Sequence, residues 1–559
     1  MVSSDELDPN FWAPGTVRLE DIQRAKGKDI ILQPQPTDDP NDPLNWSKPL
    51  KLYNFALTCL YVVIVFALIG VTTATWGIMN ATLPGFTWGI LNDGYAAGCA
   101  GLAIGSFLLI PFALRYGRRP IYIVSSIIQF FVAIWSAKIR TPGDYIGTNL
   151  VGCGVGALAE VIVQMTVADM FFVHERGTMN TVYVWVMSIG TGLSTVAAGY
   201  VASSQGWRWV WWWCAILLGV VVCLFVFTYE ETKFVYPAIV GEERPGVGEM
   251  TTVVDTGVEG KAKRDPDMRD LTIVESMQKT MVVGEGQTTV VLNASIPRKT
   301  YVQRLSLFTP STGNWKDLLA HSYQPLVILF TIPTVFYMAL IYAVISAWST
   351  IMITILSSTM PLPPYTFTSS QIGLMALPGF IGTSLGVILT GILSDRSILY
   401  LSRRNRGIYE PEFRLYLIPL FAPFVPAGAI LYACALERGW SWVAVGGGYL
   451  MCNFGGAPVS AVALTYVTDS YSEIVGPSLV AITFTRNLIA TVLVFALTPW
   501  IEEMGIQNCV ITISAIGTFI LAFVALFIWK GKVFRVWTME RYLKMAEREG
   551  KSGVVVVRV

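Results

Sequence analysis

The stretch Gly105-Ser-Phe-Leu-Leu-Ile110-Pro-Phe-Ala-Leu114-Arg115-Tyr-Gly117-Arg118-Arg119-Pro120 is an apolar run that ends at a glycine and turns into paired arginines. It reads as a helix leaving an apolar medium, with Gly117 as its stop and fixed positive charge just beyond. A looser copy, Gly391-Ile-Leu-Ser-Asp395-Arg396, closes another long apolar run and is followed by Arg403, Arg404 and Arg406. A second repeated pair, Val167-Ala-Asp169 and Val467-Thr-Asp469, lies downstream of each copy. The chain is therefore expected to consist of two related halves.

Composition sets the class. Of 559 residues, 53% are hydrophobic and 14% charged, and the mean hydropathy is +0.55. That leaves too little polar surface to cover a soluble body, so a polytopic all-α membrane protein in contact with the lipid bilayer is expected. A net charge of +1 with two histidines does not suit a nucleic-acid partner, which needs a basic face. The eight cysteines lie within or at the ends of apolar runs and form no C-x-x-C pair, so neither a disulfide framework nor a metal cluster is expected. No cofactor is expected either. His174 and His321 fall at predicted helix ends outside any hydrolase motif, and no phosphate-binding lysine loop is present, which argues against an enzyme or an ATP-driven pump.

Residues 1–52 are polar and proline-dotted, and are expected to form a disordered cytoplasmic tail. Twelve apolar runs then reach the roughly 20 residues that cross about 30 Å of hydrocarbon. They are placed near 55–79, 91–114, 120–140, 145–172, 178–203, 208–228, 324–348, 371–394, 414–435, 440–468, 475–498 and 507–530. With no backbone partners in lipid, each must be a helix. This gives an N-terminal six-helix bundle (53–228), a cytoplasmic linker (229–320), a C-terminal six-helix bundle (321–530) and a cytoplasmic tail (531–559). Arg115, Arg118, Arg119, Arg176, Arg396, Arg403, Arg404, Arg406 and Arg414 fall in the short loops on one side, against Lys138, Arg140, Arg208 and Arg438 on the other. The basic side is expected to be cytosolic, with both termini on it. The tryptophans between Trp207 and Trp213 then meet the outer interface as an anchoring belt.

Both loop copies resemble the G-x-L-x-D-R-x-G-R-R/K signature of the major facilitator superfamily. The first keeps Arg115, Gly117, Arg118 and Arg119 but has Ile110 and Leu114 where the family has Gly and Asp; the second keeps Gly391, Leu393, Asp395 and Arg396. Tyr116-Gly-Arg-Arg-Pro120, Glu231-Thr-Lys-Phe234, Glu410-Pro-Glu-Phe-Arg414 and Arg486-Asn487 further resemble its fungal twelve-span, drug:proton-antiporter-like branch. Two departures stand out. Leu150 and Cys153 occupy the arginine and glutamine slots of the branch's fourth helix, and Ser194 and Thr195 precede Gly199 where antiporters carry a Gly-Pro kink. The resemblance implies two pseudo-symmetric bundles rocking about a central site, in a chain expected to be monomeric in the plasma membrane. It further implies a small-molecule cargo and protons as partners, with export of a xenobiotic or secondary metabolite as the leading reading. Proton-linked uptake of an amine-bearing nutrient and a non-transporting sensor are the alternatives.

An ionisable residue deep in a span is a candidate site. Glu160 is the candidate for proton coupling, with Gln164 one turn further on the same face; its alternative role is a protonated carboxyl bonding a neighbouring helix. Arg486 either pairs with an acid or carbonyls as a strut or meets the cargo. Trp76, Tyr342, Asn453 and Phe454 match cavity positions of the superfamily, with packing as their other role. Arg115, Arg118, Arg119, Asp169, Glu175, Asp395, Arg396 and Asp469 are the candidates for a cytoplasmic gate or latch. Asp395 can pair with nearby arginines where Leu114 cannot. The glycines of the second helix (Gly94, Gly98, Gly101, Gly105) and of the fourth (Gly152, Gly156) are expected to let helices approach closely.

The topology makes Asn80 of Asn80-Ala-Thr82 the one sequon available for N-glycosylation, whereas Asn45 and Asn293 stay cytosolic. Enzymatic deglycosylation followed by peptide mapping checks this: sugar on Asn45 or Asn293 reverses the orientation.

Overall fold

A computed structural model describes residues 13–18, 39–234, 300–306 and 315–551. Much of the expected N-terminal tail, the linker between 235 and 299 with Asn293, and residues 552–559 lie outside the described residues, as do the side chains of Leu114, His174, His321 and Asp395.

Among the described residues, eleven helical runs are long and apolar enough to cross a bilayer: Lys48–Ala74, Trp88–Ala113, Arg118–Ala137, Pro142–Met170, Val182–Ser204, Trp207–Phe227, Pro333–Thr359, Ser369–Arg404, Glu412–Glu437, Trp442–Ser470 and Ser472–Ala546. The last is two spans. Gly505, at φ 76° and ψ 164°, turns the chain back in its middle, in a region of φ that glycine enters at little cost. Twelve spans result, counted below from first to twelfth. Their buried apolar side chains divide accordingly: one cluster draws only on residues between Leu57 and Tyr229, the other only on residues between Ile328 and Ala546. Each half has its own core.

Three elements differ from the sequence-based placement. The seventh span runs Pro333–Thr359 instead of 324–348, preceded by a separate helix, Trp315–Thr331. Ile332 is extended (φ −113°, ψ 97°) and Pro333, lacking an N–H, occupies the first turn of the new helix, where that loss is harmless. The segment after 530 is not simply a tail, because the final helix, Val524–Lys551, runs on through it. The tryptophan belt is split by the helical period: Trp209 and Trp213 are 48% and 45% exposed, while Trp207 and Trp211 are buried in the N-terminal core.

Glycine decides how closely the spans pack. A Cβ on Gly101 would lie 2.3 Å from the Leu150 carbonyl oxygen, and one on Gly105 only 1.8 Å from that of Gly154, so the second and fourth spans touch backbone to backbone. Gly448 meets the Tyr432 backbone in the same way in the C-terminal half. In the fifth span the missing proline kink is replaced by a π-helical turn, Ile189–Leu193. There Thr191 and Thr195 return hydroxyl hydrogen bonds to carbonyls four residues back, the Thr195 bond being 2.6 Å.

The two halves are sealed on the face opposite the chain termini. Asn92 of the second span donates to the Val494 carbonyl (2.6 Å) and to Thr498 Oγ1 (3.1 Å) of the eleventh. Fifth and eighth spans meet at Gly199, where a Cβ would lie 2.4 Å from the Ser369 carbonyl oxygen, and at Gly373, where it would lie 2.8 Å from that of Thr195. Ser370 and Ser203 hydroxyls add a 2.7 Å bond.

Gly105→Val would force the second and fourth spans apart, an overpacking cost of about 1–3 kcal/mol, whereas Gly391→Ala, with nothing within 4 Å of the added carbon, should be neutral. Unfolding temperatures of the two purified variants test the contrast; equal values would show that the seam does not limit stability.

Candidate functional site

Glu160 lies ten residues before the end of the fourth span at Met170, about 15 Å from that end at 1.5 Å per residue. Its side chain is 2% exposed. One carboxylate oxygen, Oε1, accepts a short hydrogen bond from Arg486 Nη2 of the eleventh span. The other, Oε2, accepts from Asn487 Nδ2 at 3.2 Å. An isolated charge at this depth is too costly to keep, and here the bilayer-buried carboxylate and guanidinium compensate each other across the two halves. Arg486 is thus paired with an acidic group of the other half.

Around the pair, Tyr342 of the seventh span puts its ring 5.5 Å from the guanidinium and its hydroxyl 3.4 Å from Nη1. Tyr183 of the fifth span donates at 3.2 Å to the carbonyls of Ala159 and Glu160, fixing the backbone that carries the carboxylate. Gln164 approaches the same hydroxyl from one turn further along. Six residues from the fourth and fifth spans of the N-terminal half and the seventh and eleventh of the other thus converge: Glu160, Gln164, Tyr183, Tyr342, Arg486 and Asn487.

Other cavity candidates go elsewhere. Trp76 is fully buried, donates to the Tyr145 hydroxyl at 2.9 Å and meets Tyr95 edge-on, so it is a member of the N-terminal core. Phe454 packs edge-on against Phe421 and Phe424, at 5.8 and 5.4 Å between ring centroids, inside the C-terminal half. Asn453 is half-buried, accepting from Ser349 Oγ at 3.1 Å and donating to the Tyr449 carbonyl at 2.8 Å, which ties the tenth span to the seventh. Asn80 is half-buried in the short helix Trp76–Thr82; in its hydrogen-bonded orientation it donates to the Phe86 carbonyl and accepts from Trp88.

On the face bearing the termini, the described residues show an ion pair at the candidate aspartate of each half. Arg118 Nε meets Asp169 Oδ2 at 2.9 Å, and Arg414 Nε meets Asp469 Oδ2 at 2.6 Å. Both aspartates end the fourth span of their half, so the duplicated Val-x-Asp marks an equivalent position. Arg119 spans to the Leu305 and Val226 carbonyls, and the Arg115 carbonyl accepts from Lys233 Nζ at 2.9 Å. Glu231 caps the third span, receiving the backbone N–H of Arg118 (2.9 Å) and Arg119 (3.1 Å), a carboxylate on a helix N-terminus. Burial, aided by the nearby Arg118, pushes the Lys233 ammonium down to about 8. Glu175 occupies the first turn of the helix that leads into the fifth span, and Arg396 is exposed on the eighth.

Arg414, Glu231, Tyr183 and Asn487 were missed as site residues. Arg414 and Glu231 stood in motifs that the sequence displays, and their placement beside terminal aspartates or helix starts was a usable signal. Asn487 stood beside Arg486 in a motif too, but its role, like that of Tyr183, depends on a partner helix that the motif does not name. A further buried pair was also missed: Arg535 of the last helix, fully buried, donates to Glu412 at 2.8 and 2.6 Å, and also reaches the Pro14 carbonyl. That contact pins the segment 13–18, whose Val17 and Arg18 pair antiparallel with Tyr409 and Ile408, onto the C-terminal half.

The sequence profile described as the Major Facilitator Superfamily matches residues 55–494. An uncharacterised MFS-type transporter of Schizosaccharomyces pombe is 31% identical over 527 residues, covering 92% of this chain and 90% of that protein. Protein HOL1 of Saccharomyces cerevisiae is 29% identical, covering 92% of both, and the efflux pump radE of Floropilus chiversii is 24% identical, covering 92% and 86%. Among solved structures, the proton:xylose symporter XylE aligns with a TM-score of 0.53 at 12% identity, over 86% of this chain and 97% of that one, a likeness of fold.

Removing Glu412 leaves the fully buried Arg535 without its carboxylate, a loss of about 3–5 kcal/mol, whereas Asp169 is partly solvated and its loss should cost on the order of 1 kcal/mol. Glu412→Gln should therefore lower the unfolding temperature well below that of Asp169→Asn. Equal losses would mean that burial does not set the strength of these pairs.

Proposed function

The chain belongs to the major facilitator superfamily, a family of small-molecule transporters and not of enzymes, and from that premise we propose that it drives its cargo by proton coupling at Glu160. The leading reading is efflux of a small amphipathic organic molecule, a xenobiotic or secondary metabolite, from a monomer in the plasma membrane with both termini in the cytosol. The domain plan of two bundles, a cytosolic linker and cytosolic ends belongs to the same proposal, with the pairs at Asp169 and Asp469 as latches. A relative at 24% identity is named an efflux pump, which supports the direction.

The observation that carries this reading is the Glu160–Arg486 pair, which ties one half to the other. Two charges buried in a bilayer cannot separate unless each finds another partner. A proton delivered to Glu160 removes that obstacle, and the halves are then free to rock. Competition of proton and cargo for one carboxylate gives exchange; a requirement for the proton before cargo binds gives symport. An amine-bearing cargo is the second reading, because an ammonium can take the place of the guanidinium on Glu160.

Glu160→Gln mimics the protonated carboxyl. In proteoliposomes loaded with a mixed metabolite extract, gradient-driven accumulation should fall at least about tenfold while equilibrium exchange stays within about threefold of the parent, the loss of a coupling free energy of 1–3 kcal/mol. Retained pH-driven pumping would make Glu160 a structural carboxyl. Loss of exchange along with pumping in the variant, with an amine-bearing cargo exchanged by the parent only, would favour the amine reading.

A further inference from the structure

The charges at the centre are compensated unequally. Both hydrogen bonds that the Glu160 carboxylate accepts come from the opposite half, from Arg486 and Asn487. Arg486 is held differently. Its Nε and Nη2 donate to Asn487 Oδ1 at 3.0 and 2.8 Å, its Nη1 to the Tyr342 hydroxyl at 3.4 Å, and its guanidinium lies 5.5 Å from the Tyr342 ring. All of these partners belong to its own half. Asn487 itself is 3% exposed and uses both ends of its amide, the carbonyl toward the cation and the amine toward the carboxylate.

When the halves part, the two charges therefore fare differently. The guanidinium keeps an amide oxygen, a hydroxyl and an aromatic face, whereas the carboxylate loses every donor it has. We propose that Asn487 is a positioning residue that keeps Arg486 in the C-terminal half as the centre opens, so that Glu160 alone is left needing a new cation. This rests on the reading of the Glu160–Arg486 pair as the tie between halves, and it adds a direction to it. The opened site is electronegative and takes a proton or a cationic group; it does not present Arg486 to an anionic cargo. An asparagine suits this task because it accepts from the guanidinium without a charge of its own. An aspartate would neutralise Arg486 permanently and repel Glu160, and an apolar residue would leave the cation only the long Tyr342 contact in its own half and so more dependent on Glu160.

The test needs no knowledge of the cargo. Hydrogen exchange of the full-length protein in nanodiscs reads the seal opposite the termini through the amides of 195–203 and 369–373, which open when the halves part on that face. Glu160→Gln should lower protection there by about fivefold or more, the tie being cut. Asn487→Asp should lower it comparably, since Arg486 then has a carboxylate in its own half. Asn487→Leu should raise it, because separation would now strand the cation. In the Glu160→Gln background the Asn487→Leu increase should vanish, as expected of residues acting through one pair. Opposite signs for Asp and Leu cannot come from misfolding, which loosens the seal in both. If Glu160→Gln loosens the seal but the two Asn487 variants move it the same way or not at all, Asn487 only fills space and the inference fails. If Glu160→Gln leaves protection unchanged, the reading of the pair as a tie is what fails.

Discussion

A guanidinium and a carboxylate facing each other inside the bilayer constrain everything around them. Neither Arg486 nor Glu160 can be left alone at that depth, so the fourth and eleventh spans are held in register across the boundary between halves. The surrounding side chains follow from that demand. Tyr183 fixes the carboxylate's backbone, Tyr342 covers the cation, and Asn487 touches both. Apolar contacts complete the contact between halves nearby: Phe107 meets Phe484 at 6.0 Å, and Ile110, Val161 and Met165 cluster with Val480. Those contacts tolerate sliding, whereas the ion pair does not, and so the pair fixes how the fourth and eleventh spans face each other.

At the end nearest the termini the two halves solve one problem with different neighbours. Each closes its fourth span with an aspartate bound to an arginine, Arg118 in one and Arg414 in the other. In the N-terminal half the arginine belongs to the third span, whose N-terminus Glu231 caps from the segment after the sixth. In the C-terminal half Tyr409 donates to Asp469 at 2.6 Å, and the strand 17–18 pairs beside it. Gly15 fits there because a Cβ would lie 2.5 Å from the Asp469 carbonyl oxygen, and its φ of 82° favours glycine as well. The duplicated core thus carries unduplicated surroundings, and the two ion pairs are not equivalent.

Much was legible in the sequence, and for stated reasons. Hydropathy places the spans because the bilayer admits only helices long enough to cross it, and the loop motifs with their paired Val-x-Asp reveal the duplication. The glycine row of the second span announces a seam, because Gly101 and Gly105 let the fourth span's backbone come into contact, whereas Gly152 and Gly156 of the fourth face the side chains of Val132, Val65 and Gln129. Glu160 and Arg486 stand out singly because charge is rare and costly in a span. All of these follow from local composition meeting a uniform solvent, lipid.

What tertiary structure alone decided is which of those residues meet. Glu160 and Arg486 are separated by 326 positions, and no periodicity within either span says that their faces oppose each other. The same holds for Arg535 with Glu412 and for Asn92 with Val494. Trp76 and Phe454 look alike as cavity aromatics in sequence, yet packing turned both into their own half's core. The rotation of a helix about its axis and the pairing of helices from different halves are fixed by the fit of many side chains at once. A span's hydropathy specifies that it crosses the membrane; only its neighbours specify which way its charge points.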